Sequence, residues 1–260
     1  PLKIQDLDTV FLQSDLAAKF SALGMKHSLQ AGVDFADERK RVWAQRTAAQ
    51  GGVVPVKPPT TVGTPDDGAS INEDSRVLRL ANRYESQGEG LYLQDLVEFV
   101  PKWKVLLGLR YDHLLGDYDA FDLAANVTGP ETTRSYRMKV SELSKRAGLL
   151  FQPNERMSFH FSYATSFNTS GDAYSLSAAN VDIPPEQSIN LELGAKLDSA
   201  DGNFTVRLAA FRATKLHERN TDPLVNLVTL SGKRHVAGLE LDLAGRLTPA
   251  WEVYGSYMWM

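Results

Sequence analysis

Along most of this chain, side chains change character at every second residue, and few folds accept that pattern. From Met157 to Phe167 the apolar Met157, Phe159, Phe161, Tyr163 and Phe167 alternate with Ser158, His160, Ser162, Ala164 and Ser166. Ile189, Leu191, Leu193, Ala195 and Leu197 alternate with Asn190, Glu192, Gly194, Lys196 and Asp198. The same period returns from Phe204 to Ala210, from Ala237 to Ala244, from Trp103 to Asp112 and from Met25 to Phe35, where His27 breaks the apolar set. Successive side chains on a strand point to opposite faces, so each segment is a strand with one apolar and one polar face.

The connections alternate as well. Short, turn-like links occur at Ala22-Leu23-Gly24, Pro101-Lys102, Pro153-Asn154-Glu155, Ala200-Asp201-Gly202-Asn203 and Thr248-Pro249. Long ones lie near 40–82, 116–139, 168–186 and 216–230, the first rich in Pro, Gly and Thr. Strands of about ten residues, joined by short turns at one end and long loops at the other, are expected of an outer-membrane β-barrel. Trp103, Tyr111, Phe151, Phe167, Trp251, Tyr257 and Trp259 near strand ends fit the aromatic girdles of such barrels. A soluble antiparallel sandwich shares the alternation but not the stepwise alternation of loop length, and its strands are typically about 5–6 residues long.

Composition removes other classes. There is no run of about 18 apolar residues, so no helix is expected to span a membrane. The first residues have neither the basic nor the apolar region of a signal peptide. A net charge of −4 argues against general nucleic-acid binding. Without cysteine, disulfide scaffolds, cysteine-bound zinc and thiol nucleophiles are excluded. His27, His113, His160, His217 and His235 have no metal-ligand spacing, and no hydrolase, phosphate-loop or metalloprotease motif occurs, so neither an enzyme nor a resident cofactor or metal is expected. Asp117, Asp119 and Asp122 are close enough in sequence for calcium, but they lack the glycine and distal glutamate of an EF-hand and read better as an acidic loop.

Three stretches resemble one family. Gly90-Leu91-Tyr92-Leu93-Gln94-Asp95, followed by Trp103 and Gly108-Leu109-Arg110-Tyr111-Asp112, is similar to a hairpin of TonB-dependent siderophore receptors. Ser144-Lys145-Arg146-Ala147-Gly148-Leu149 through Pro153, with Ser162-Tyr163-Ala164-Thr165-Ser166-Phe167, resembles their next hairpin, which carries Pro where this chain has Lys145. Pro185-Glu186-Gln187-Ser188, Glu192 to Lys196, Phe211-Arg212 and Gly238-Leu239-Glu240-Leu241 resemble the stretch after that. Asn220-Thr221-Asp222-Pro223 looks most like the catecholate-siderophore subgroup.

The resemblance implies an all-β, antiparallel transmembrane barrel of the 22-strand type, of which residues 1–260 would supply about ten strands. It implies a place in the outer membrane of a Gram-negative bacterium, among its lipids, and a ferric siderophore as cargo. Energy would come from the TonB–ExbB–ExbD system through regions absent from this chain. No plug domain and no TonB box are recognised, and ten strands alone would leave two open edges in lipid, so the chain is expected to be a fragment. A passive porin and a soluble β-sandwich binding domain are the competing functions. Arg110, Arg146, Glu192, Lys196, Arg207, Glu240 and Asp242 are expected to line the lumen and pair with one another. Ligand contact is expected in the long loops, where Arg offers charge and Trp or Tyr a stacking face. The candidates are Trp43, Arg46, Tyr118, Arg134, Tyr136, Arg137 and Arg219.

Overall fold

A computed structural model of the chain describes residues 3–56, 59, 62–63, 70–126, 131–169, 174–222 and 227–260. Among these, ten strands form one antiparallel sheet in chain order: β1 (Lys3–Ala22), β2 (Met25–Gln45), β3 (Leu78–Val100), β4 (Trp103–Leu123), β5 (Glu131–Asn154), β6 (Met157–Asn168), β7 (Glu186–Asp198), β8 (Phe204–Asp222), β9 (Leu227–Thr248) and β10 (Trp251–Trp259). Each strand pairs with the one before it.

Turn chemistry sets the register at the short-turn end. Leu23 and Gly24 both have positive φ, 55° and 75°, as a two-residue turn matching the twist of its strands requires, and Ala22 pairs with Met25. Pro101 followed by Lys102 at φ 74° has the signature of a type II turn. Between β7 and β8 the Asp201 carboxylate accepts from the Asn203 amide at 3.1 Å, from Asn203 Nδ2 at 2.9 Å and from the Ser199 hydroxyl. These donors pull the Asp201 carboxyl down to about 2, the Ser199 hydroxyl having the largest effect.

The registers turn the alternation of each strand into two continuous faces. Trp103, Phe151, Phe159, Ala195, Leu208, Leu241 and Tyr257 stand side by side across β4 to β10. Trp103 stacks on Phe151 with ring centroids 4.5 Å apart, and Phe151 on Phe159 at 6.3 Å. The row above holds Val105, Leu149, Phe161, Leu193, Ala210, Leu239 and Trp259.

The opposite face is polar. There Arg110 forms ion pairs with Asp34 at 2.7 Å and Asp112 at 2.6 Å, and His160 reaches Glu192 at 2.8 Å. Gly90 makes room for this: a Cβ there would collide with the Arg110 guanidinium and the Asp34 carboxylate. His27, the exception on the apolar face, lies close to the short-turn end. Its ring stacks on Phe20 at 4.9 Å and Nδ1 meets Asp95 Oδ2 at 2.6 Å.

No second layer covers the apolar face among the described residues. Leu107, Leu193 and Leu239 are 57%, 62% and 55% exposed. A soluble domain must bury such a face against another layer. This sheet leaves it bare along nine strand pairings, which removes the sandwich and suits the hydrocarbon of a bilayer.

The strands also reach further than expected. Parts of 40–82, 116–139 and 216–230 are strand, so β2 to β5 and β8 to β9 rise as hairpins beyond the apolar band. Pro58, Pro65 and Pro223 lie outside the described residues.

The β7–β8 turn carries a pH signature. A carboxyl held below its unfolded value contributes stability above that value and loses it as pH falls through the folded one. The Asn203 amide resonance is therefore expected to stay constant from neutral pH to about 3 and to move only near pH 2. Asp201→Ala should remove that transition.

A tyrosine-lined mouth

The hairpins β2–β3 and β4–β5 carry the polar face beyond the apolar band. There the registers place Lys40, Tyr84, Tyr118 and Tyr136 side by side on four successive strands. All four share the face of Asp34 and Arg110, since Lys40 and Tyr118 lie an even number of residues from them along β2 and β4, and Tyr84 and Tyr136 stand directly opposite these two. One level toward the band, Glu38, Ser86, Gly116 and Met138 form the next row. Gly116 leaves the Tyr84 ring free to lie across its neighbour, because a Cβ there would sit 3.0 Å from the Tyr84 hydroxyl.

The segment between β6 and β7 returns over this surface. Tyr174 crosses from beyond β6 to β2, where its hydroxyl donates to Glu38 Oε1 at 2.5 Å. Lys40 Nζ stands 3.8 Å from the centroid of the Tyr174 ring, and Tyr84 meets that ring edge-on at 5.1 Å. Two residues on, Leu176 is 4% exposed and packs with Tyr84, Tyr118, Met138 and Val140. This is the buried apolar cluster of the described residues, with Leu114, Ala120, Tyr136 and Phe167 at its border.

The hydrogen bond to Glu38, with burial second, pushes the Tyr174 phenol up to about 12. Burial raises Tyr84 and Tyr118 as well. At neutral pH these three phenols are therefore neutral, with the Tyr174 proton engaged by Glu38 and the Tyr84 and Tyr118 rings buried against Leu176.

The seven expected contact residues separate here. Tyr118 and Tyr136 stand in the row, and Arg134 lies next to it, paired with Asp122 at 2.6 Å. Arg137 is on the reverse face, paired with Asp117 at 2.7 Å. Trp43 is tied to Asp6 of β1 through its indole N–H at 2.7 Å. Arg46 follows β2 and donates its amide to Val77 at 2.8 Å. Arg219 on β8 supports the far end of the returning segment: its amide donates to Glu186 at 3.1 Å and its guanidinium lies 3.5 Å from the carbonyls of Ile183 and Pro184. Of the seven, Arg46 alone lies outside a strand.

Asp117, Asp119 and Asp122 lie on β4 rather than in a loop. Asp122 points to the opposite face from the other two, so the three cannot share an ion. Each is paired with an arginine: Arg137, Arg83 and Arg134. Among the described residues no group of three metal-ligating side chains occurs. Lys40, Glu38, Tyr84 and Tyr174 went unread in the sequence. Tyr174 lies 136 residues from its partner Glu38, and no local pattern marks such a contact.

Comparison with known proteins agrees with this architecture. The model of the family described as "TonB dependent receptor-like, beta-barrel" matches residues 4–260. A probable TonB-dependent receptor of Bordetella pertussis, BfrD, is 29% identical over 96% of this chain and 35% of its own length. A probable TonB-dependent siderophore receptor of Acinetobacter baumannii, PiuA, is 30% identical over 67% of this chain and 24% of its own length. Among solved structures, the closed form of the ferric-catecholate import receptor Fiu from Escherichia coli matches with a TM-score of 0.77 at 22% identity, covering 98% of this chain and 38% of that one. The chain thus spans about a quarter to a third of the length of the curated relatives it matches. Its apolar face is the lipid-facing exterior, its polar face the lumen, its short turns periplasmic and its tall hairpins extracellular. The chain belongs to the TonB-dependent receptor family and forms part of that family's β-barrel in the Gram-negative outer membrane.

Proposed function

We propose that this chain supplies wall and outer vestibule to a receptor that takes up ferric siderophores. The observation that carries the reading is the extracellular mouth, where Lys40, Tyr136, Tyr174 and Arg134 stay at the lumen-facing surface around the buried Tyr84 and Tyr118. Ferric siderophores are large, often anionic and partly aromatic. Phenol hydroxyls, ring faces and cations are the groups that hold such a ligand without breaking a bond in it. The names of relatives such as PiuA and Fiu support the same substrate class. Proteins of this family are receptors and transporters, and the chain is accordingly read as having no catalytic role. Energy coupling through TonB, ExbB and ExbD belongs to parts of the receptor outside these residues.

Uptake of a ferric siderophore by cells carrying the intact receptor tests the reading. With Arg134 and Tyr136 both changed to Ala, the half-saturating concentration is expected to rise about tenfold at equal receptor abundance, the effect of losing one cationic and one stacking contact. Unchanged affinity would remove both residues from the ligand site.

The returning segment should respond to a separate change. Leu176→Ala deletes the side chain that anchors it, and a large-to-small change in a packed cluster costs about 2 kcal/mol or more. Amide exchange over 174–181 is expected to accelerate about 30-fold, while exchange in the β7–β8 strand pairing stays the same.

A further inference from the structure

The Tyr174 ring occupies a site whose walls belong to other strands. Its hydroxyl donates to Glu38 Oε1 at 2.5 Å, Lys40 Nζ stands 3.8 Å from its centroid, and the Tyr84 ring meets its edge at 5.1 Å. These partners sit on β2 and β3, where the register sets Lys40 directly opposite Tyr84 and Glu38 directly opposite Ser86. Gly116 on β4 keeps the space beside Tyr84 clear, since a Cβ there would approach its hydroxyl to 3.0 Å. Acceptor, cation and ring edge are thus features of the barrel wall and not of the segment that brings Tyr174 to them.

That segment is held in a different way. Among the described residues its backbone–backbone hydrogen bonds are internal: the amides of Asn180 and Val181 donate to the Ser177 carbonyl, and the Ile183 amide donates to the Asn180 carbonyl. No ladder joins it to the wall, so side chains alone fix its tip. Leu176 is buried, but Tyr174, two residues earlier, is 39% exposed. Side-chain contacts at a half-open position give way far more readily than a strand pairing. The partners also define what can replace Tyr174. Glu38 takes a hydroxyl that carries a proton and repels an aryl oxygen that does not. Lys40 favours a ring over an aliphatic group of the same size. Both conditions describe a neutral phenol. The oxygens that chelate iron have lost their protons, so the group that fits is a free phenol at the ligand's periphery.

We propose that Glu38, Lys40 and Tyr84 form a phenol-recognition subsite of the mouth, filled by the chain's own Tyr174 until a ligand bearing a free phenol ring displaces it. Tyr174 is then an internal competitor, which an incoming group must match in both ring and hydroxyl. The inference rests on the reading of the mouth as the ligand site. The two fail separately, because small phenols report on the Tyr174 position alone, whereas siderophore uptake with Arg134 and Tyr136 changed reports on the mouth as a whole.

The intact receptor, purified in detergent, allows a direct test with three probes: para-cresol, which is the tyrosine side chain itself, its methyl ether, which keeps the ring without the proton, and cyclohexanol, which keeps the hydroxyl without the ring. Binding is followed by ligand-observed NMR and the segment by amide exchange over 174–181. In the wild-type receptor, para-cresol is expected to accelerate that exchange saturably, and the other two probes to leave it unchanged. Tyr174→Ala removes the tethered competitor and should tighten para-cresol binding at least about tenfold. Glu38→Ala should abolish the preference for para-cresol over its methyl ether while ring binding over Lys40 persists, a selectivity change that a merely structural role would not produce. Equal affinity in wild type and Tyr174→Ala, equal response to para-cresol and its ether in the wild type, or no binding of para-cresol to either receptor would each overturn the proposal. The three probes on the wild-type receptor decide the matter even if a variant fails to fold.

Discussion

A backbone in hydrocarbon has no water to satisfy its N–H and C=O groups, and the rest of this structure follows from that demand. Each strand answers it by pairing with the strand before it in sequence, so the sheet is a meander with no crossover. Meander pairing needs tight reversals at one end. They come from Leu23-Gly24, from Pro101-Lys102 and from the Asp201-centred turn, each stabilised by local chemistry. Once backbone pairing is settled, side chains are left to face lipid on one side and water on the other. The bare leucines of the exterior are therefore what the surroundings require, although in water they would be a defect.

The polar face uses the freedom of its aqueous environment. Arg110 sits between two carboxylates over a glycine, a grouping that would be costly in lipid and is inexpensive beside water. Higher up, the same face turns aromatic. The row of tyrosines beside Lys40 is long and level because β2 to β5 stay in register well beyond the membrane. That surface is apolar enough to need cover, and Tyr174 and Leu176 provide it from a segment that belongs to the next hairpin. The mouth thus keeps Lys40, Tyr136 and Tyr174 at its surface while Tyr84 and Tyr118 are buried in the apolar cluster.

Much of this was legible in the sequence. The faces were, because the side-chain period of a strand is a local property: Phe159 and Phe161 share a face whatever lies beside them. The short turns were, because glycine, proline and asparagine mark them directly. The hairpin motifs around Tyr92, Arg110 and Arg146 pointed to the family. The seven contact candidates were chosen by residue type in segments taken for loops, and that basis was weaker. Tyr118, Tyr136 and Arg134 converge, whereas Arg137 has the opposite parity from Tyr136 and so faces away. The same parity separates Asp119 from Asp122, which point to opposite faces of β4.

The sequence by itself determined which residues are strand, which of their faces is apolar and, through its motifs, the kind of wall they build. Only the tertiary structure decided where the strands end, how Lys40, Tyr84, Tyr118 and Tyr136 fall on one level, and that Tyr174 comes back to Glu38. It also decided that β5 and β6 part above Arg146. The division has a physical origin. Alternation and turn preference are set by neighbours in the chain, while register, strand height and a returning segment depend on pairings between residues up to more than a hundred positions apart.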